Sequence, residues 1–316
     1  MYNYAYSGDA APPKGGKRAP VVFCLDVTKS MLWPMDNSSG GGKTRIKLAN
    51  EMIATFCKHI LSVPKAADTV EVAFVLFAHK TMLETEFVNV TRINLEMFDH
   101  ARKADGCGTY ELHEVRVEVR EENMPPYYRT GRVPEFTVAQ DKGTKLDSAV
   151  IYCYEKIEAL KQFYIQKGVQ FYAPHFVLIT DGDPDDQNNS GRERDTASIH
   201  QEAVDLAYDH SWTGRDGTNL IVPITVGIFD DKIDAAARSR VADYGKNFPD
   251  GYYPIEDGRA AVEFKKAAEF LCKTVVKSLY LGEQDSRSGD AMFPDPADPR
   301  GKNAGYGQNV REIYSL

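Results

Sequence analysis

A basic surplus, zinc-ligand spacings and long apolar runs are all missing from this sequence. Its 38 Lys and Arg stand against 46 Asp and Glu, for a net charge of -8. Binding in bulk to nucleic acid or to an anionic membrane surface draws on the opposite balance, so neither partner is expected. No run approaches the roughly 18 apolar residues that mark a membrane span. Seven histidines form neither HExxH nor HxxxH, and five cysteines form no CxxC. Zinc and thiol–disulfide chemistry therefore lack their usual frameworks. The cysteines (Cys24, Cys57, Cys107, Cys153 and Cys272) are odd in number, and all but Cys107 lie in apolar segments. There a free thiol behaves as a small hydrophobe, and a reduced, cytoplasmic setting is expected. The opening "MYNYAYSGDAAPPKGG" also lacks the charged and then apolar regions of a secretory leader.

What is present is an alternation of strands and helices. Apolar residues make up 42% of the chain, enough for a buried core. The 316 residues fit about two domains, or one α/β domain with insertions. Continuous apolar runs at 20–26 ("PVVFCLD"), 70–78 ("VEVAFVLFA") and 175–182 ("HFVLITDG") read as strands buried on both faces. Further strands are expected at 86–93 and 220–229, the latter in an edge or irregular position because it contains Pro223. Apolar residues recur at helical spacing in 44–61, through Ile46, Ala49, Ile53, Phe56, Cys57 and Ile60. The same holds for 146–163, through Leu146, Val150, Cys153, Ile157 and Leu160. Helices are also expected at 198–212, 232–245 and 260–281. The fold class is thus α/β and Rossmann-like, a mostly parallel sheet with helices on both faces. Residues 110–140 break the rhythm with period-two alternation around a Pro/Gly turn, and read as an inserted, protruding β-hairpin. The expected organisation is a flexible arm at 1–19, one domain at 20–282 carrying that hairpin, and a tail at 283–316 too polar to fold alone.

Two of the buried strands end in aspartate. In parallel sheets ligands bind beyond the carboxyl ends of the strands. The first strand runs into "DVTKS", offering Asp26, Thr28 and Ser30. The third runs into "TDGDPDD", offering Asp181 with Asp183, Asp185 and Asp186 behind it. Between them, Thr144 of "DKGTKLDSAV" opens a helix. These are hard oxygen donors without His or Cys, a set suited to Mg²⁺, Mn²⁺ or Ca²⁺. Taken singly, each motif could equally be a helix or turn cap. His59 and His200, and the acid clusters, read as surface or satisfied core residues.

Asp-x-Thr-x-Ser after the first strand, Gly-Thr before a helix and "LITDGDP" together resemble the metal-ion-dependent adhesion site of von Willebrand factor type A domains. The family's usual first motif is Asp-x-Ser-x-Ser, and Thr28 keeps the hydroxyl; Lys142-Gly143-Thr144 stands where Gly-Gly-Thr is usual. The resemblance spans roughly 20–281. It implies that Thr28 and Ser30 ligate the metal directly, that Thr144 contacts it in the partner-bound state, and that Asp26 and Asp181 act mostly through water. It implies a protein partner whose carboxylate completes the shell, and no catalytic residue. "FTVAQDKGT" (136–144) is similar to compact bacterial and phage members linked to tellurite resistance and stress response. Thr109 of "DGCGTYEL" is a second candidate for the metal threonine, although only Thr144 opens a clean helix leading to the Asp181 strand.

Two enzyme readings compete. "NSSGGGKT" (37–44) suggests a phosphate-binding loop, but the required first glycine is Asn37, and the run lies far from the strand ending at Asp26. It reads instead as a lengthened loop, with Thr44 capping the next helix. A haloacid-dehalogenase-like phosphatase would use Asp26 as nucleophile, yet it wants a second aspartate where Thr28 stands. A virion or filament subunit, its two arms ordering on neighbours, is a third alternative.

Overall fold

All eight residues of β1 (Ala19–Asp26) are buried, as are all eight of β2 (Val70–Phe77) and all six of β8 (His175–Thr180). Such runs can only sit inside a sheet covered on both faces. In the computed structural model, which describes residues 16–35, 42–139, 143–182, 196–212, 220–229, 235–248, 250–256 and 260–287, they do. The arm before residue 16, the tail beyond 287 and the acidic trio Asp183, Asp185 and Asp186 lie outside the described residues. β1 begins at Ala19 and the last helix ends at Arg287, slightly beyond the expected bounds of 20 and 282.

The sheet adds β3 (Thr81–Glu84), β4 (Val88–Asn89), β5 (Arg102–Lys103), β9 (Val222–Phe229) and β10 (Tyr252–Glu256). The strand order is β10-β9-β8-β1-β2-β3-β5, with β4 also pairing β2. β2, β1, β8, β9 and β10 run parallel, while β3, β4 and β5 are antiparallel. The chain leaves β1 for β2 on one side and later returns to place β8 on the other. That reversal is a topological switch point, and it opens a crevice at the carboxyl ends of β1 and β8.

Period-two alternation sorts β1 between two cores. Val21, Phe23 and Leu25 pack against α1 (Arg45–Ser62) and α7 (Ala260–Arg287). Val22 and Cys24 pack against α4 (Leu146–Lys167) and lie in one core with residues of α5 (Thr196–Trp212) and α6 (Ala235–Asp243). The apolar positions predicted for α1 and α4 are all buried. α1 starts where Thr44 Oγ1 accepts the Lys47 N–H at 3.4 Å. α4 ends at Gly168, whose φ of 65° is the left-handed conformation that favours glycine.

Four expectations are corrected. First, residues 86–93 form no full strand. Only Val88 and Asn89 pair with β2, because Asn89 Oδ1 then takes the Thr91 N–H at 3.0 Å and turns the chain. The longer antiparallel neighbour of β2 is β3, whose four residues are too few to show a period. Second, β9 is interior despite Pro223. Val222 N–H bonds Pro174 on the β8 side, and the first bond on the β10 side runs from Thr225 N–H to Gly251. Pro223 therefore lacks its donor where β10 has not yet begun, at the second residue of the strand. Third, Tyr252–Glu256, for which no element was expected, forms the edge strand β10.

Fourth, the hairpin of β6 (Tyr110–Val119) and β7 (Tyr127–Phe136) is present but does not simply protrude. It lies along α1. Val119, Val133 and Phe136 are buried, and Gly131 backs onto Leu61 so closely that a Cβ would sit 2.5 Å from Leu61 Cδ1. Asn50 in α1 clasps its end: Nδ2 donates to Phe136 C=O at 2.8 Å and Oδ1 accepts Phe136 N–H at 3.0 Å. Phe136 joins a run of aromatic contacts through Phe74, Phe23 and Phe56, with centroids 5.3–5.7 Å apart. Each such ring contributes about 1.5–3 kcal/mol by burial, so the hairpin is part of the larger core.

A polar cluster fastens the opposite face. Asp147, in the first turn of α4, is fully buried. It receives the Tyr244 hydroxyl, lies 3.0 Å from His200 Nδ1 on α5 and 3.4 Å from Arg240 Nη2 on α6. His200 Nε2 reaches Asp243 at 3.3 Å. His200 is thus a satisfied, half-buried residue tying three helices together.

Candidate metal centre

Four chain segments meet at the crevice between β1 and β8. The first leaves β1. Asp26 is fully buried, and its Oδ1 accepts the Thr28 N–H at 2.9 Å, a tight turn that brings the Thr28 and Ser30 hydroxyls back over the strand end. Those hydroxyls lie 2.8 Å apart. The second segment leaves β8. Thr180 Oγ1 donates to Asp26 Oδ2 at 2.8 Å and accepts the Gly182 N–H at 3.2 Å. Asp181 Oδ1 accepts the Ser30 hydroxyl at 2.9 Å, which joins the two loops directly.

The third segment is fixed by backbone bonds at Ala139 and at Lys145. Ala139 N–H donates to Val27 C=O at 2.7 Å, and Lys145 N–H to Ala78 C=O at 2.8 Å. Between them Gly143 takes φ of 97°. Thr144 is thereby set beside Gly182: a Cβ on that glycine would lie 3.4 Å from Thr144 Oγ1 and 3.5 Å from Asp26 Oδ2. Among the described residues Thr144 Oγ1 makes no hydrogen bond, though the residue is only 7% exposed. Thr109, the other candidate, is elsewhere. Its N–H and hydroxyl are engaged with Thr137 at the base of the hairpin.

The fourth segment supplies a residue the motifs did not show. Arg45, the first residue of α1, is buried and places Nη1 2.7 Å from Asp181 Oδ2. Its guanidinium lies 5.2 Å from the centre of the Trp33 ring, which is half exposed at the rim. One signal for Arg45 was available in the sequence. A cation at the first helical position opposes the helix macrodipole, so a carboxylate partner was to be expected there. Thr180 gave no comparable signal, since a β-branched residue in a strand needs no special reason.

The charge at the crevice is incompletely balanced. Burial, with the Asp181 charge beside it, pushes the Asp26 carboxyl up to about 7 despite donors from Thr28 and Thr180. Burial likewise raises Asp181, opposed by Arg45 and Ser30. Asp26 touches only neutral donors among the described residues. A carboxylate so placed, next to hydroxyls and a partnerless Thr144, has the chemistry of a hard-cation site. The donor set therefore fits a divalent cation. Among the described residues no group of three or more His, Cys, Asp or Glu could hold a metal. An ion entering here would have two carboxylates and hydroxyls around it.

Lys43 takes no part. Its Nζ pairs with Glu51 at 2.7 Å on the exposed side of α1. Position 28 presents a hydroxyl, not the second carboxylate of a haloacid-dehalogenase-like site. Both Asp26 oxygens are already engaged.

Comparison with known proteins finds likeness in fold alone. No family model matches the sequence, and no curated protein matches it. Solved structures with a similar fold include the PilB minor pilin of Streptococcus sanguinis, at 12% identity and a TM-score of 0.45 over 86% of this chain and 64% of that one. The von Willebrand factor domain of the type V pili tip protein Mfa5 from Porphyromonas gingivalis is similar at 12% identity and a TM-score of 0.40, over 81% and 95%. The human COPII-coat protein Sec24c is similar at 10% identity and a TM-score of 0.37, over 82% and 32%. The chain thus spans less than two thirds of the first and third. At TM-scores below 0.5 these likenesses add nothing to what the strand order already shows.

Proposed function

We propose that this chain is a docking module of the von Willebrand factor A type, which binds a divalent cation and, through it, a protein partner. The observation that carries this is the meeting of Asp26, Thr28, Ser30, Thr144 and Asp181, from three separate segments, at the switch point of the sheet. A bound Mg²⁺, Mn²⁺ or Ca²⁺ would supply an open position for a carboxylate from outside. The residues' own work is positional. Asp26 orients the Thr28 turn, Asp181 orients Ser30, and Thr144 stands beside Gly182 with no hydrogen bond from its hydroxyl among the described residues. The reading assigns no catalytic residue.

All five cysteines are free, and the cytoplasmic setting inferred from them is part of the proposal. No helix among the described residues is long and apolar enough to cross a membrane. The finer placement with tellurite-resistance-type proteins rests on the sequence "FTVAQDKGT" and belongs to the proposal too.

The test is a melting experiment on protein stripped with EDTA. Mg²⁺, Mn²⁺ or Ca²⁺ should raise the melting temperature, and Asp26→Ala should abolish the rise. Pull-down from the native host should then need the metal, and should weaken in Thr144→Ala but not in Thr109→Ala. If none of the three ions shifts the melting of the stripped wild type, the crevice is a capping arrangement and the reading fails.

A further inference from the structure

Arg45 sits against the electrostatic grain of its helix. It is the first residue of α1, where the positive end of the macrodipole disfavours a cation. Its side chain is nonetheless buried and holds Asp181 Oδ2 at 2.7 Å. The other oxygen of that carboxylate takes Ser30, and Ser30 meets Thr28. Arg45 therefore grips the same carboxylate that anchors the candidate donor set. The grip is built in. Arg45 N–H donates to Trp33 C=O at 3.1 Å, Met35 N–H to Lys43 C=O at 2.9 Å, and Pro34 bridges Thr44. These contacts keep Trp33 and the guanidinium together.

Charge decides what such a cation does. With both carboxylates ionised, the crevice holds, among the described residues, Asp26 and Asp181 against Arg45 alone, which leaves a single negative charge. A divalent ion would turn this into a single positive charge, and one carboxylate from outside would close it. Without Arg45 the loaded crevice would be neutral, with no net attraction for an anion. In a buried setting such differences are felt strongly, because the solvent screens them poorly.

We propose that Arg45 is the resident counter-cation of this crevice: it competes with the divalent ion for Asp181 and leaves the loaded site cationic, so that it exchanges metal affinity for selection of a carboxylate ligand. This rests on the metal reading above and names the residue that sets ligand class. Arg45 is a positioning and specificity residue, and touches the ligand only through the charge it leaves behind.

The experiment titrates EDTA-stripped wild type, Arg45→Gln and Arg45→Lys with Mn²⁺ by calorimetry, with tryptophan fluorescence reporting the Trp33 contact. The Mn²⁺-loaded forms are then titrated with acetate. Arg45→Gln should bind Mn²⁺ about tenfold tighter, and its loaded form should bind acetate about tenfold more weakly, because one buried charge has been removed. Arg45→Lys loses the planar stack on Trp33 but keeps the charge, so in both titrations it should lie closer to wild type than Arg45→Gln does. Arg45→Met, which refills the stem volume, carries the same expectation as the glutamine if that variant does not fold. Two results overturn the proposal: Arg45→Gln binding Mn²⁺ no tighter than a wild type that binds it, or both Gln and Lys variants losing metal alike, as a loop brace would. If wild type binds no Mn²⁺ and Arg45→Gln does, the competition stands and the docking function of the native chain falls. If no form binds Mn²⁺, both fall together.

Discussion

Asp26, at the end of β1, and Asp147, in the first turn of α4, are both fully buried aspartates, yet their surroundings are opposite. Asp147 faces His200, Arg240 and the Tyr244 hydroxyl, contributed by α5, α6 and the turn after α6. Asp26 faces a backbone N–H, the Thr180 hydroxyl and a second carboxylate. A buried charge is tolerated when it is paired and hydrogen-bonded. By that standard the Asp147 cluster is complete and holds helices together. Among the described residues the Asp26 crevice is short of one positive partner, as the proposed metal site would be. Burial is the same at the two aspartates; the sign of the described neighbours is what differs.

The sharpest way to break this contrast is to neutralise each aspartate. Asp147→Asn removes one partner from a buried charged cluster and should destabilise the protein by about 3–5 kcal/mol, read from the urea midpoint. Asp26→Asn should go the other way. The amide keeps an acceptor for the Thr28 N–H and offers a donor to Thr180. In EDTA at pH 8 it should stabilise by about 1–3 kcal/mol, since an uncompensated buried charge is gone. Equal losses from both substitutions would erase the distinction.

The pH dependence sharpens it further. The Asp26 pKa is raised from 3.8 to about 7 in the folded state. Its contribution to metal-free stability is therefore complete below 3.8 and lost as pH rises through about 7. In EDTA the wild type should become less stable over that window, and Asp26→Asn should flatten the curve. His200 is held above its ordinary range by the Asp147 hydrogen bond. Its contribution is complete below 6.5 and lost as pH rises past that raised value, so His200→Gln should flatten only the upper part.

Smaller effects follow. At 1 mM Mg²⁺ and a dissociation constant of about 0.1 mM, linkage gives about 1.4 kcal/mol to the wild type. Thermal melting should show that increment in Asp147→Asn and miss it in Asp26→Asn. Least of all, Lys43→Ala removes an ion pair whose side chains are about half exposed and should cost under about 0.5 kcal/mol. It should leave metal binding intact; nucleotide binding that vanished with Lys43 would revive the phosphate-loop alternative.

How much of this was legible beforehand depended on whether a feature is local. The helix faces of α1 and α4 were, because burial of one stripe imposes a 3.6-residue period on the chain itself. The three long buried strands were, since apolar runs bounded by turns have few other uses. β3 and β5, four and two residues long, were not. Pro223 misled because its missing donor matters only if a neighbouring strand has already begun beside it. The hairpin's pattern was plain, but its seat on α1 depended on Asn50 and Gly131, whose partners lie 86 and 70 residues away in the chain.

The sequence by itself determined the α/β class, the strand ends at Asp26 and Asp181, and the hydroxyls following the first of them, because strand period and turn chemistry are written in consecutive residues. Tertiary structure alone decided which threonine stands beside Asp26, that Arg45 closes on Asp181 across 136 residues, and that Asp147 is saturated where Asp26 is not. The reason is physical. Coulomb and hydrogen-bond energies depend on distance in space and on burial, and neither is a property of neighbours along the chain.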